Sequence, residues 1–321
     1  FVKRVGIIGG GIMGSQIADI MAINGKEVII RDISEDYTKK AMEIVDNNLT
    51  DLVQFHSTRA EKEIERIESR DGIQLSDEQK EKIKEVLKPK FNQEQKAETI
   101  SRISTTTNIE DFNDVDLVIE AVVENIEVKK KVFNDLDTHT PKHAILASNT
   151  SSLSITEIAA ATKRPEKVIG VHFFNPPVSL PLVEIIPGTE TSEETVNDLI
   201  DYVSTLRNHR YPMQAIKVKE VPGFLVNRIL FAMMNEAFSC YEQGVASMRD
   251  IDLAMKAGAG MPMGPFELAD LVGIDVIYNV QNEVREMLGG NTMNEPSQTL
   301  RKLYHAGRYG KKSKRGFYDY R

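Results

Sequence analysis

The run GIIGGGIMG at residues 6–14 constrains this chain more than any other feature. It contains G-x-G-x-x-G at Gly9, Gly11 and Gly14, preceded by the apolar run of residues 4–9 and followed by Ile17, Ile20 and Met21 at helical spacing. A second apolar run ends at Asp32, 18 residues beyond Gly14. A glycine at the first position permits a tight strand-to-helix turn. The second lets backbone approach a diphosphate, and the third lets helix and strand pack closely. The helix N-terminus then offers unpaired N–H groups and partial positive charge to the diphosphate. Asp32 is placed to accept two hydrogen bonds from a ribose diol and to repel a 2′-phosphate. NAD is therefore expected over NADP, although the neighbouring Arg31 works slightly against that preference. FAD uses the same turn, but nothing else in the chain suggests a flavin site.

The pattern around this turn predicts a doubly wound α/β domain. Short apolar runs at residues 116–121, 144–148, 167–173 and 182–186 join the first two, at 4–9 and 27–32, as strand candidates. Most lack alternation, as expected of strands buried on both faces of a mostly parallel sheet. Residues 59–98 are dense in Glu, Lys and Arg, with Ile64, Ile67, Ile83, Val86 and Leu87 at helical spacing. They read as an amphipathic helical hairpin inserted between strands, either a solvated excursion or a flap. From Pro222 onward the pattern is all-helical. One heavily apolar helix is expected between Pro222 and Gly244, another from Pro265, and a third near residues 297–305. The expected division is a Rossmann-like dinucleotide domain over residues 1–220 and a helical domain over 221–321.

Composition narrows the function. Lys+Arg is 40 against Asp+Glu 48, a net charge of −8, so a nucleic-acid partner is not expected. No apolar run approaches the roughly 18–20 residues of a membrane span. Cys240 is the only cysteine, which excludes an internal disulfide and any site needing several thiolates, and no metal site is expected. A reducing compartment fits: the cytoplasm, or the mitochondrial matrix if a targeting segment preceded Phe1.

The chemistry points to residues 168–186. Two strand-like runs flank a proline-rich turn centred near Val178, and His172 and Glu184 each lie six positions from that centre. An antiparallel hairpin makes them cross-strand neighbours. A carboxylate paired with an imidazole fixes its tautomer and stabilises its protonated form, which equips the ring as a general base. The same pair could equally be a structural brace. The run SNTSS at 148–152 follows a strand, at the end where open α/β sheets bind ligands. Ser154 and Glu157 form a capping box for the next helix. Asn227 is an amide inside an apolar helix and needs either a backbone or a substrate partner. His56, His139, His143, His209 and His305 sit in polar surroundings and read as surface residues.

With these motifs in view, the chain resembles the short-chain L-3-hydroxyacyl-CoA dehydrogenases, including 3-hydroxybutyryl-CoA dehydrogenases. The similarity rests on GIIGGGIMG, IEAVVEN, ASNTSSLSIT, GVHFFNPP, LVEII, VPGFLVNRI, GAGMPMGPFEL and KKSKRGFYDY, spread over nearly the whole length. It implies NAD-dependent oxidation of an L-3-hydroxyacyl-CoA to the 3-ketoacyl-CoA, or the reverse reduction, in fatty acid metabolism. It also implies a homodimer formed through the helical domain. In these terms His172 is the general base and Glu184 its partner. Ser151 lies at substrate and nicotinamide, Asn227 and Asn175 near the reacting oxygen and the cofactor, and Glu124, Lys129 and Lys312 near the cofactor. The family carries basic residues for coenzyme A on the helix after the second strand, whereas residues 50–58 here contain no Lys or Arg. Two other readings of the scaffold are a sugar-acid oxidoreductase like L-gulonate 3-dehydrogenase and a non-catalytic cofactor-binding protein. The GVHFFNPP match disfavours the first, and the intact His172, Glu184 and Asn227 set disfavours the second.

Overall fold

In the computed structural model, which describes residues 2–70, 72–287 and 295–321, eight strands form one sheet in the order β3-β2-β1-β4-β5-β6-β7-β8. They are β1 (Arg4–Ile8), β2 (Glu27–Arg31), β3 (Ile103–Thr106), β4 (Leu117–Glu120), β5 (Ile145–Ser148), β6 (Val168–Phe173), β7 (Leu182–Pro187) and β8 (Gln214–Lys217). Neighbours from β3 to β6 are parallel, β7 runs antiparallel to β6, and β8 is parallel to β7. The chain order reverses direction between β1 and β4, the crevice at which dinucleotides bind in such sheets. Fully buried Val and Ile residues of the central strands meet Ile17, Ala18 and Met21 of helix α1 (Ile12–Ile23) in one core.

The chain divides into two compact units. One comprises Phe1–Thr150 with Ile155–Val218, and the other Ser151–Ser154 with Lys219–Arg321.

The charged segment departs from the expected hairpin over 59–98. Its first arm is not a separate helix but the distal half of α2 (Glu35–Arg70), a single helix of 36 residues. No Gly or Pro interrupts residues 35–70, so nothing stops the helix where the charge density rises. Ala41, Val45, Leu49 and Leu52 bury its proximal half. Beyond them α2 carries surface pairs such as Glu63–Arg66 at 2.7 Å. It meets α3 (Asp77–Val86) through a Glu68–Lys80 ion pair at 2.8 Å. A third short helix, α4 (Gln93–Ser101), leads back to the sheet edge. The remaining helices of this unit are α5 (Ile126–His139), α6 (Ile155–Ala159) and α7 (Glu193–Thr205).

The second unit contains α8 (Val226–Glu242), α9 (Met248–Ala259), α10 (Pro265–Val272), α11 (Ile274–Met287) and α12 (Gln298–His305). Pro222 does not open the first of these. Gly223 and Phe224 take left-handed φ values of 72° and 49°, which a helix interior does not tolerate, so α8 begins after them. Gly244 does follow its end, also left-handed. α8 is not buried all round: Phe231, Met234 and Phe238 face the core, whereas Ile229 is 63% exposed. Phe238, Phe266 and Phe317 form an aromatic cluster with centroids 4.8–5.3 Å apart. Asp270 accepts the N–H groups of Phe317 and Tyr318 at 2.8 and 2.9 Å, which fastens the terminal segment to α10.

Candidate active site

The glycine turn is built as its spacing requires. A Cβ on Gly14 would stand 1.9 Å from the carbonyl oxygen of Gly9, and Gly9 itself has φ 101° with Ala121 pressed against it. A Cβ on Gly11 would meet nothing within 4 Å. Gly11 is the N-cap of α1 and places no side chain over the first-turn N–H groups, so the turn has room for a diphosphate. Asp32 closes the other side. Its carboxylate accepts the N–H groups of Gly10 and Ile33, each at 2.7 Å. Arg31 is turned to the carbonyl of Thr107, which its Nε reaches at 3.2 Å. These residues fit an unphosphorylated adenosine ribose.

At the carboxyl ends of β4 and β5 lies a polar network whose hub the sequence reading missed. Glu120, fully buried, accepts from Lys129 Nζ at 2.6 Å, Ser148 Oγ at 2.6 Å and the Val122 N–H at 2.7 Å. Lys129 is also buried and lies 3.3 Å from Glu124. Glu124 in turn accepts the Thr150 hydroxyl at 2.5 Å. Glu124 and Lys129 are thus held together, and Asn149 beside Thr150 accepts the Phe173 N–H at 2.9 Å. The available signal was one acid closing an otherwise apolar strand. Its lysine partner lies nine residues on, and only the return of α5 brings the two together.

His172 and Glu184 are register partners across the β6–β7 ladder. Nδ1 of His172 lies 2.7 Å from Oε2 of Glu184, and both side chains are buried. Phe174 stands against the imidazole with ring centroids 4.5 Å apart. Asn175 is exposed immediately beyond the strand.

The other expected site residues belong to the second unit. Ser151 is half-buried, and its neighbours Ser152 and Ser154 donate to Glu283 at 2.7 Å and Glu220 at 2.6 Å. Asn227 lies half-buried in the first turn of α8. Lys312 sits in a 3₁₀ turn and pairs with Asp275 at 2.6 Å. Among the histidines read as surface residues, His209 departs from that reading: its Nε2 lies 3.0 Å from the fully buried Asp19. Burial raises the Asp19 carboxyl above its ordinary value, against the opposing influence of His209.

An aspartate closing the glycine turn, and a buried imidazole–carboxylate couple on the same sheet, fit a nicotinamide-dependent oxidoreductase with a Rossmann domain. The comparisons with known proteins make this specific. Residues 4–78 and 73–220 match the NAD-binding domain of 3-hydroxyacyl-CoA dehydrogenase, and residues 223–320 match its C-terminal domain. The chain belongs to the 3-hydroxyacyl-CoA dehydrogenase family. It is 41% identical to a 3-hydroxybutyryl-CoA dehydrogenase of Clostridioides difficile, over 99% of each chain. It is 39% identical to the human mitochondrial hydroxyacyl-coenzyme A dehydrogenase, over 100% of this chain and 92% of the relative. The crystal structure of the (S)-3-hydroxybutyryl-CoA dehydrogenase of Ralstonia eutropha superposes with a TM-score of 0.82 at 33% identity, covering 100% of both chains.

Proposed function

We propose that this chain interconverts L-3-hydroxyacyl-CoA and 3-ketoacyl-CoA, 3-hydroxybutyryl-CoA among them, with His172 as the general base. The observation that carries the reading is the His172–Glu184 couple. Nδ1 is committed to the carboxylate, so Nε2 is the nitrogen that takes the proton of the 3-hydroxyl. Glu184 holds the ring in that orientation and stabilises the imidazolium as it forms. Bound NAD supplies the hydride acceptor for C3. Gly9, Gly11, Gly14 and Asp32 hold its diphosphate and ribose, while Glu124, Lys129, Asn175 and Lys312 contribute further cofactor contacts. Ser151 and Asn227 bind the substrate near the reacting oxygen. Because the hydride leaves C3 while the proton leaves the oxygen that C3 carries, positioning supplies much of the rate.

The second unit forms the contact of a homodimer in this reading, and the exposed Leu225 and Ile229 on and beside α8 support it. No helix among the described residues is long and apolar enough to cross a membrane. The cytoplasm, or a mitochondrial matrix, is the proposed compartment, without a nucleic-acid or membrane partner.

The test is a spectrophotometric comparison of NADH with NADPH on 3-ketoacyl-CoA substrates of graded length, beside keto-sugar acids. NADH consumption with acetoacetyl-CoA is expected, and consumption with keto-sugar acids alone would overturn the reading.

A further inference from the structure

The loop that follows β5 changes its anchorage halfway along. Asn149 accepts the Phe173 N–H at 2.9 Å and the Thr150 hydroxyl donates to Glu124 at 2.5 Å, both within the first unit. Residues Ser151–Ser154 are grouped instead with the second unit. There the Ser152 hydroxyl donates to Oε2 of Glu283 at 2.7 Å, and the Ser154 hydroxyl to Oε1 of Glu220 at 2.6 Å. Ser151, the serine placed at the substrate above, therefore stands between two residues that are each hydrogen-bonded to a carboxylate of a different unit.

Glu283 works from a fixed base. It sits on α11, whose Ile277, Val280 and Val284 are buried in the core of the second unit. The neighbouring Val284 is fully buried, so the backbone under Glu283 is held by packing. The closest basic residue along the helix, Arg285, is paired with Glu295 at 2.7 Å rather than with Glu283. The Ser152 end is equally confined: that residue is 2% exposed, and an enclosed hydroxyl needs a partner. A carboxylate accepts and does not donate, so the bond runs one way, and its charge makes it stronger than a bond between neutral groups.

The same helix makes a second contact of this kind. In its first turn Asp275 holds Lys312 at 2.6 Å. One helix thus supplies carboxylates both to Lys312 and to the serine beside Ser151, although neither acid was singled out by its sequence pattern.

We propose that Glu283 is a positioning residue: through Ser152 it sets where Ser151 stands against the substrate. This rests on the substrate contact proposed above for Ser151. Consecutive Cα atoms are held about 3.8 Å apart, so a displacement of Ser152 carries Ser151 with it. A misplacement of about 1 Å in a reacting site can cost on the order of a hundred-fold in rate.

The test is a double-mutant cycle in the full chain, pairing Glu283→Ala with Ser151→Ala. Glu283→Ala alone should lower kcat/KM for acetoacetyl-CoA about ten-fold, the low end for a lost hydrogen bond to a charged group, with the Kd for NADH within about two-fold of the parent. In the Ser151→Ala background the same substitution should cost less than about two-fold, because the group it positions is gone. Glu283→Gln keeps an acceptor of the same shape and should return to within about three-fold of the parent. Equal losses in both backgrounds, or NADH affinity lost alongside, would make Glu283 a brace and overturn the proposal. Should Glu283→Ala fail to fold, Ser152→Ala takes its place in the cycle with the same expectations. The cycle is also read calorimetrically, as the Kd for acetoacetyl-CoA on the NAD-loaded chain, which separates this inference from the reaction itself. A parent that binds the thioester without turning it over would end the proposed reaction, and the cycle in Kd would decide the role of Glu283. A parent that does not bind it, or a Ser151→Ala variant indistinguishable from the parent, would overturn the substrate contact and the proposal together.

Discussion

His172 and Glu184 meet at 2.7 Å from opposite strands of one antiparallel ladder, each with its side chain closed off from solvent. The relationship is directional, because Oε2 holds Nδ1; in the proposed reaction the proton transfer falls to the far side of the ring. Glu184→Gln keeps the volume and can present either an acceptor or a donor to Nδ1, so it no longer enforces one tautomer. We expect kcat to fall on the order of a hundred-fold, with folding stability within about 1 kcal/mol of the parent because an isosteric amide leaves no buried charge. Steady-state kinetics beside urea denaturation would check both; unaltered kinetics would reduce the pair to a brace.

Glu120 and Lys129 make a second buried couple, at 2.6 Å. Glu120→Leu removes one charge and leaves the ammonium in the interior with Glu124 as its remaining carboxylate. A broken buried pair costs about 3–5 kcal/mol. Chemical denaturation should show a loss of that order, larger than for Glu184→Gln, together with weaker NADH binding as Glu124 and Thr150 lose their anchor.

Asp32, the proposed ribose contact, holds the Gly10 N–H. Asp32→Ser keeps a polar atom and removes the charge that repels a 2′-phosphate. The preference for NADH over NADPH in kcat/KM should shrink about ten-fold, equivalent to about 1.4 kcal/mol. A preference that does not move would place the discrimination elsewhere.

Asp116 ties the start of β1 to β4 by accepting the N–H groups of Lys3 and Arg4 at 2.8 and 3.1 Å. Burial is the largest single influence and would raise its carboxyl, but those two N–H groups and His143 together outweigh it and hold the group below its ordinary value. A lowered carboxyl contributes stability above its unfolded pKa and loses it as pH falls through the folded value. Asp116→Asn should therefore lower Tm at pH 7, and the gap from the parent should close in acid. A gap independent of pH would contradict this.

The central strands were legible because β1, β2 and β4–β7 are apolar runs with little polar content. Strands β3 and β8, ISTT and QAIK, were not, because they are the two edges of the sheet, half-exposed and short. The boundary placed at residue 59 followed charge density, which does not end a helix; Gly and Pro do, and none interrupts α2 before its end. Helix α9 was missed because it carries Gly258 within its last turns, and glycine there reads as a break. Of the site, the His172–Glu184 pairing followed from counting outward from one turn. The Glu120 hub did not, since its partners come from α5, β5 and the β4–α5 loop and have no shared spacing.

The most direct measurement is turnover and NADH affinity of His172→Ala, side by side. With acetoacetyl-CoA and NADH, kcat should fall by about 10²–10⁴-fold, the range for a lost general acid–base group, while the Kd for NADH, from cofactor fluorescence, stays within roughly two-fold of the parent. Turnover that survives, or NADH affinity that collapses together with it, would contradict the account.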